Sequence, residues 1–293
     1  MRGMSARVYL NGVIVAPDEA RISIFDRGFL YGDSVYETMR VYGGVPFALA
    51  AHLERLVSSG RRVAFQLPWD TAALATAVHE TLAAAQLGDA YLRVIATRGS
   101  GPMGLDPALA VAPQLIVIVM PLPELPESWY TQGRSAALVS VMRNVKQALD
   151  PQAKTGNYMN SVMAVEEARR RGADEAIMLD MAGRVAEASS ANVFVRLDDG
   201  WLTPPLEVGI LGGITRHHLI EICREAALAV AERMLWPADL QRASEILLCS
   251  SVRELLPVVR LDGEAVGDGR VGPATQALRA LYRARVHQAC GIG

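Results

Sequence analysis

Hydrophobic and polar positions alternate along Arg7–Val15, and the Asn11-Gly12 pair inside that run predicts a tight hairpin turn. A second hairpin is predicted from Tyr36 to Ala48 around Gly43-Gly44. Apolar spacing then changes to the helical period. Ala50–Val63 puts Leu53, Leu56 and Val57 on one face, and Thr71–Ala85 follows as a helix rich in alanine and leucine. Strands are expected at Ala90–Thr97 and Leu115–Met120. Three prolines within Pro121–Pro126 oppose both helix and central strand, so a connector is expected there. Beyond it the pattern predicts a strand at Arg134–Met142 and an amphipathic helix at Asn157–Arg171 ending at Gly172. Short strands at Glu175–Leu179, Arg184–Glu187 and Val193–Leu197 come next, with turns at Ala182-Gly183 and Asp198-Asp199-Gly200. A helix starting near Ile214, a strand at Glu245–Ser250 and a last helix from Pro273 to Gln288 complete the reading. Strands and helices are partly segregated, which argues α+β architecture over a doubly wound parallel sheet.

A chain of 293 residues, 51% hydrophobic and 20% charged, is globular in composition and long enough for two domains. The expected division is a smaller N-terminal α/β domain at 1–120, a linker at 121–130 and a larger C-terminal domain at 131–293. A net charge of −2 provides no field to gather nucleic acid or anionic lipid. The apolar run Leu115–Met120 is far shorter than the roughly 20 residues of a membrane helix. Met1–Ala6 carries charge without an apolar run, so no secretory signal is expected. Cys223, Cys249 and Cys290 are odd in number and far apart, which fits neither a metal site nor a disulfide framework. A cytoplasmic protein is expected. Of the 29 basic residues only Lys146 and Lys154 are lysines. Arginine fills most surface roles but cannot form a Schiff base or lose its proton near neutral pH, so amine chemistry must come from one of these two.

Dinucleotide and Walker glycine loops, paired zinc-protease histidines and a Gly-x-Ser-x-Gly elbow are all missing from the sequence. Four other segments carry the chemistry: Arg21–Arg40, Lys154-Thr-Gly-Asn-Tyr-Met-Asn160, Val185–Phe194, and Leu211-Gly-Gly-Ile-Thr-Arg216 with Ser250-Ser-Val-Arg-Glu254 behind it. In order and spacing they resemble the class IV aminotransferases, the fold-type IV family of branched-chain and D-amino-acid transaminases and aminodeoxychorismate lyase. The resemblance covers nearly the whole chain. It implies a two-domain fold whose larger domain carries a barrel-like sheet, and a pyridoxal 5'-phosphate cofactor.

That cofactor demands a lysine amine, an acid at the pyridine nitrogen and a phosphate cradle. By family position Lys154 is the catalytic Schiff-base lysine, and its freed amine would shuttle a proton at the substrate Cα. Lys146 matches no motif and is read as a solvated surface residue. Glu187 matches the acid at the pyridine nitrogen and Tyr158 the tyrosine that hydrogen-bonds the phenolic oxygen. Gly213, Ile214 and Thr215 resemble the phosphate cup, where backbone amides converge at a helix start. Ser250 and Ser251 match the second phosphate loop, and Arg55 the family arginine that pairs with phosphate.

On the substrate side the resemblance implies Tyr31, Arg40, Arg93, Arg98 and Val252. Lys154-Thr-Gly-Asn-Tyr158, Arg40 and Arg93 are similar to the branched-chain enzymes. Thr97-Arg98-Gly99 is similar to the D-amino-acid and lyase branches, where such an arginine meets a substrate carboxylate. Glu37-Thr38 replaces the usual Glu-Gly, and Ser251-Val252-Arg253 replaces the usual Thr-Ala-Ala. The first choice is transamination between a branched-chain-like L-amino acid and a 2-oxo acid. A D-amino acid transaminase, aminodeoxychorismate lyase and a non-catalytic cofactor-binding protein are the alternatives, in that order. The partners implied are these small molecules and a second copy of the chain. In such a homodimer, residues near Tyr31 or the Gly101–Leu105 loop would lie by the neighbouring site.

Overall fold

The computed structural model describes residues 5–198 and 200–292; Met1–Met4 of the expected leaderless N-terminus and Asp199 of the expected turn lie outside the described residues. The chain divides into two compact units. The first comprises Met1–Pro123, Ala153–Asn157 and His287–Gly293, and the second comprises Glu124–Gln152 and Tyr158–Val286. The main division falls inside the anticipated connector. Ala153–Asn157, the stretch that carries Lys154, belongs to the first unit and interrupts the second.

In the first unit the elements are β1 (Arg7–Leu10), β2 (Val13–Val15), α1 (Arg27–Tyr31), β3 (Ser34–Tyr42), β4 (Val45–Pro46), α2 (Leu49–Arg62), α3 (Thr71–Ala85), β5 (Ala90–Thr97) and β6 (Gln114–Pro121). The strands form one antiparallel sheet in the order β2-β1-β6-β5-β3-β4. Strand alternation sends Val35, Met39 and Val41 of β3 to one face, where they pack with Leu92 and Val94 of β5 and with Leu53, Leu56 and Leu74 of α2 and α3. The opposite face of β3 and β5 carries Tyr36, Thr38, Arg40, Tyr91 and Arg93, with Thr38 directly across from Arg93 and Arg40 across from Tyr91. One face is thus a core and the other is available for chemistry.

The second unit contains α4 (Ser128–Thr131), β7 (Arg134–Leu138), α5 (Met159–Arg170), β8 (Glu175–Leu179), β9 (Val185–Ala188), β10 (Asn192–Leu197), β11 (Gly200–Thr203), α6 (Ile214–Glu225), β12 (Val230–Glu232), α7 (Pro237–Gln241), β13 (Glu245–Ser250), β14 (Glu254–Leu261), β15 (Glu264–Ala265) and α8 (Pro273–Cys290), whose last turn falls among the residues of the first unit. Its sheet runs β12-β11-β10-β13-β14-β7-β8-β9, with β15 beside β14. Parallel pairs β7–β8, β7–β14 and β11–β12 sit among antiparallel ones. The sheet curls until β9, at one end of that order, comes back against β10. This is the mixed, barrel-like α+β fold expected.

Two expected elements are shorter than the pattern suggested, for identifiable reasons. The strand from Arg134 stops at Leu138 because the Glu167 carboxylate accepts the backbone N–H groups of Ser140 and Val141, which would otherwise extend the ladder. Those same N–H bonds hold the Glu167 carboxyl below its ordinary range. The helix expected from Asn157 starts at Met159, because Asn157 turns its amide to the Gly32 carbonyl. Strand β14 was not anticipated: Pro257 interrupts its apolar run and argues against a strand, yet it sits opposite Leu247. Among the described residues no helix is long and apolar enough to cross a membrane.

Candidate active site

The first unit fixes Lys154 by its main chain. The Lys154 N–H donates to Ser59 Oγ of α2 at 3.0 Å, and the Tyr36 N–H of β3 donates to the Lys154 carbonyl at 2.9 Å. Thr155 bridges Val35, and the Gly156 N–H donates to the Ser34 carbonyl. Gly156 has to be small here, since a Cβ would come within 2.4 Å of Ser34 Oγ. The Lys154 peptide is therefore a short edge extension of β3, clamped from the other side by α2. Its Nζ lies 4.6 Å from the centroid of the Tyr36 ring, and the Arg93 guanidinium lies 3.9 Å from the same centroid. Arg40 stacks on Tyr42 at 4.5 Å. Lys146, by contrast, is exposed in the second unit.

On the core side of β3, Glu37 is fully buried and accepts from both nitrogens of the Arg55 fork, Nε to Oε1 and Nη2 to Oε2, each at 2.7 Å. His52 Nδ1 meets Glu37 Oε2 at 2.7 Å. Burial alone would raise the Glu37 carboxyl, but the Arg55 charge and the bonds from Arg55 and His52 outweigh it and bring its pKa down to about 2. Burial pushes His52 down, against the pull of Glu37, so its ring is neutral and donates its Nδ1–H. Arg55 was expected at the phosphate; the structure turns its Nε and Nη2 to Glu37.

Tyr31 ends α1, with Arg27 stacked on its ring at 5.0 Å and the Gly104 N–H donating to its hydroxyl at 3.3 Å. Arg27 also donates to the Gly104 and Leu105 carbonyls, which fixes the Gly101–Leu105 loop over α1. Arg98 was expected to grip a carboxylate. Instead Nε binds Asp33, Nη1 the Ala64 carbonyl and Nη2 the Val63 carbonyl, so all three nitrogens brace the unit internally. Burial would raise the Asp33 carboxyl, but bonds and charges from Arg98 and Arg27 hold it below its ordinary range.

The second unit assembles the acid and the cup. Glu187 on β9 is buried; Oε1 accepts from Arg143 Nε at 2.7 Å, and Oε2 accepts from Asn192 Nδ2 at 3.2 Å and the Leu211 N–H at 3.0 Å. Asn192 Nδ2 also reaches the Leu211 carbonyl, which ties the acid to the Gly212-Gly213 turn. A Cβ on Gly213 would lie 1.9 Å from Asn192 Oδ1, so only glycine fits. Helix α6 begins at Ile214 with Gly213 as its cap and no side chain capping it, while Thr215 is buried in the first turn. The first N–H groups of such a helix have no acceptor within it. Ser250 ends β13 and pairs with Glu254, and Ser251, Val252 and Arg253 form the turn to β14. Tyr158 precedes α5 and is half-buried.

The sequence reading did not single out Ser59, His52 or Arg143. Arg143 and Glu187 are 44 residues apart, and Ser59 and Lys154 are 95 apart. No local spacing could have signalled either pair. Cys223 and Cys249 are buried, with thiols pushed up to about 11 and about 12, so they are packing residues and not nucleophiles.

A buried acid wrapped in donors, a helix start whose glycine has no room for a Cβ, and a lysine pinned at its main chain are the parts of a pyridoxal-phosphate enzyme. Comparison with known proteins agrees. The amino-transferase class IV family matches residues 34–261, and the chain belongs to that family. A putative branched-chain-amino-acid aminotransferase of Methanocaldococcus jannaschii is 37% identical over 277 residues, covering 94% of this chain and 95% of that one. A D-alanine aminotransferase of Bacillus licheniformis is 32% identical, covering 94% and 96%. The crystal structure of the Escherichia coli branched-chain amino acid aminotransferase superposes with a TM-score of 0.92 at 29% identity, covering 96% and 95%. The protein is thus an aminotransferase, and pyridoxal 5'-phosphate is its cofactor. The donor set fits that group: an amine, a buried carboxylate and an anion-accepting helix start.

Proposed function

We propose that the chain moves the amino group between a branched-chain L-amino acid and a 2-oxo acid, with Lys154 as the catalytic residue. The observation that carries this is the face of β3 and β5, where Arg40 and Arg93 stand among Tyr36, Tyr42 and Tyr91 beside the Lys154 amine. Guanidinium groups set among aromatic rings suit a carboxylate joined to an apolar side chain. The similarity to branched-chain enzymes supports the same class.

Bound cofactor supplies the electron sink that makes the substrate Cα proton labile. Lys154 Nζ takes that proton and returns it, a task that needs its main chain held still, as Ser59 and Tyr36 do. Glu187, which accepts from the Arg143 guanidinium and from the Asn192 and Leu211 donors, would pair with the pyridine nitrogen. Gly213, Ile214 and Thr215 at the α6 start, with Ser250 and Ser251, would hold the phosphate, and Tyr158 would hydrogen-bond the phenolic oxygen. Arg55 supports the phosphate side while locked to Glu37. Tyr31, Arg40, Arg93 and Val252 bound the substrate; Arg98 is braced by Asp33 and the Val63 and Ala64 carbonyls.

Exposed Phe25, Phe29, Met103 and Leu105 in the first unit support a homodimer, since large apolar groups in solvent mark an interface. The three free, buried cysteines are consistent with a cytoplasmic enzyme. The test is a panel of L- and D-amino donors mixed with the yellow holoenzyme, with loss of colour followed for each. Bleaching by L-leucine, L-isoleucine and L-valine ahead of D-alanine is expected. Bleaching by D-alanine alone would replace this reading with the D-amino acid one.

A further inference from the structure

Within the second unit, α4, β14 and α8 line a cavity of about 410 Å³ that neither Glu187 nor the Gly212-Gly213 turn lines. That is many times the roughly 30 Å³ a water molecule occupies in the liquid. Arg279 and Arg283 line it, one helical turn apart on α8, together with Tyr130, Thr131, Thr275 and Gln276. The Arg279 guanidinium stacks on Tyr130 at 4.0 Å, and its Nε and Nη2 are buried with no protein acceptor. Glu127, exposed and 3.5 Å from Nη1, is too loose to answer the buried edge. Buried donors normally have acceptors. Arg283 gives its Nε to Glu254 Oε2 at 3.0 Å and keeps a side chain 44% exposed.

We propose that this cavity binds a small dicarboxylate. Guanidinium edges match planar carboxylates in pairs, and residues four apart on a helix stand about 5–6 Å apart at Cβ, the span of a four- or five-carbon diacid. The cavity walls also hold the candidate phosphate loop. The Tyr130 hydroxyl donates to the Arg253 carbonyl at 3.0 Å, and Arg283 holds Glu254, whose backbone sits at φ +56 while its side chain is buried. A diacid on Arg279 and Arg283 therefore bears on the turn carrying Ser251 and Val252, and the site is regulatory.

The test titrates succinate into holoenzyme and into the R279Q and Q276E variants by calorimetry. Gln276 is exposed, so Q276E folds even where R279Q does not, and it sets a negative charge at the cavity mouth. Any binding at the substrate site is common to all three proteins. The expected result is one succinate site in the parent that both variants lose. Equal titrations would overturn the proposal, and inorganic phosphate binding as tightly as succinate would overturn the dicarboxylate class. The regulatory part rests on the proposed phosphate loop and is read separately. Succinate should change the parent's apparent Kd for the cofactor at least threefold and leave that of Q276E unchanged; no change in the parent overturns it.

Discussion

The two units hold their chemical groups by different physical means. Around Lys154, restraint comes from main-chain bonds to Ser59 and Tyr36, backed by the buried Glu37–Arg55–His52 cluster on the other face of β3. Around Glu187, it comes from the Arg143 guanidinium, the Asn192 amide, the Leu211 N–H and a Gly213 whose Cβ would meet Asn192. The first arrangement rests on a buried charge cluster and is sensitive to protons. The second joins one ion pair to close packing and is also sensitive to a single methyl group. A mobile amine needs a fixed stem, whereas a phosphate and a ring nitrogen need fixed donors.

The most drastic way to break this division of labour is Lys154→Ala. It should lower turnover by about 10³-fold or more while leaving the unfolding midpoint within a few degrees of the parent, read by steady-state kinetics beside thermal melting. Glu37→Gln should do the opposite kind of damage. It strands the Arg55 charge in the core and should cost roughly 3–5 kcal/mol of stability in denaturant unfolding. Gly213→Ala tests the second unit: the new Cβ collides with Asn192, so cofactor affinity should fall about 10- to 100-fold by equilibrium dialysis, with a stability loss of roughly 1–3 kcal/mol.

A pH titration of stability sharpens the contrast further, with the smallest effect. His52 resists protonation in the folded state, so its contribution is complete above the ordinary histidine value of 6.5 and declines as pH falls below it. Glu37 has its carboxyl lowered from 4.5 to about 2, so its contribution is complete above 4.5 and is lost as pH falls through about 2. Stability should therefore fall in two steps on acidification, and Glu37→Gln should shrink the lower one, to which the lowered carboxyls of Asp33 and Glu167 also contribute. A single step in the parent would show that this cluster does not govern acid sensitivity.

Much of this was legible in the sequence because it is local. The hairpin at Asn11-Gly12, helices α2 and α3 and strands β5 and β6 follow from periods of two and 3.6 with turn residues between them. The glycine turn before α6 was legible too, since Gly212-Gly213 followed by Ile214-Thr215 is a helix start written in adjacent residues. Partnerships across the fold were not legible. For Arg98 the sequence shows the charge and hides Asp33 and the two carbonyls that accept from it. Arg55 likewise gave no sign of Glu37, eighteen residues away on another element. Nor did anything in the sequence show that Lys154 pairs with the first unit, because that depends on one bridge to Val35 and one serine.

The central claim is that Lys154 is the amine that carries the cofactor. Reducing holoenzyme with borohydride, digesting it and mapping the phosphopyridoxyl group by mass spectrometry tests this directly. The label is expected on Lys154 alone. A label on Lys146, or none on either lysine, would contradict it.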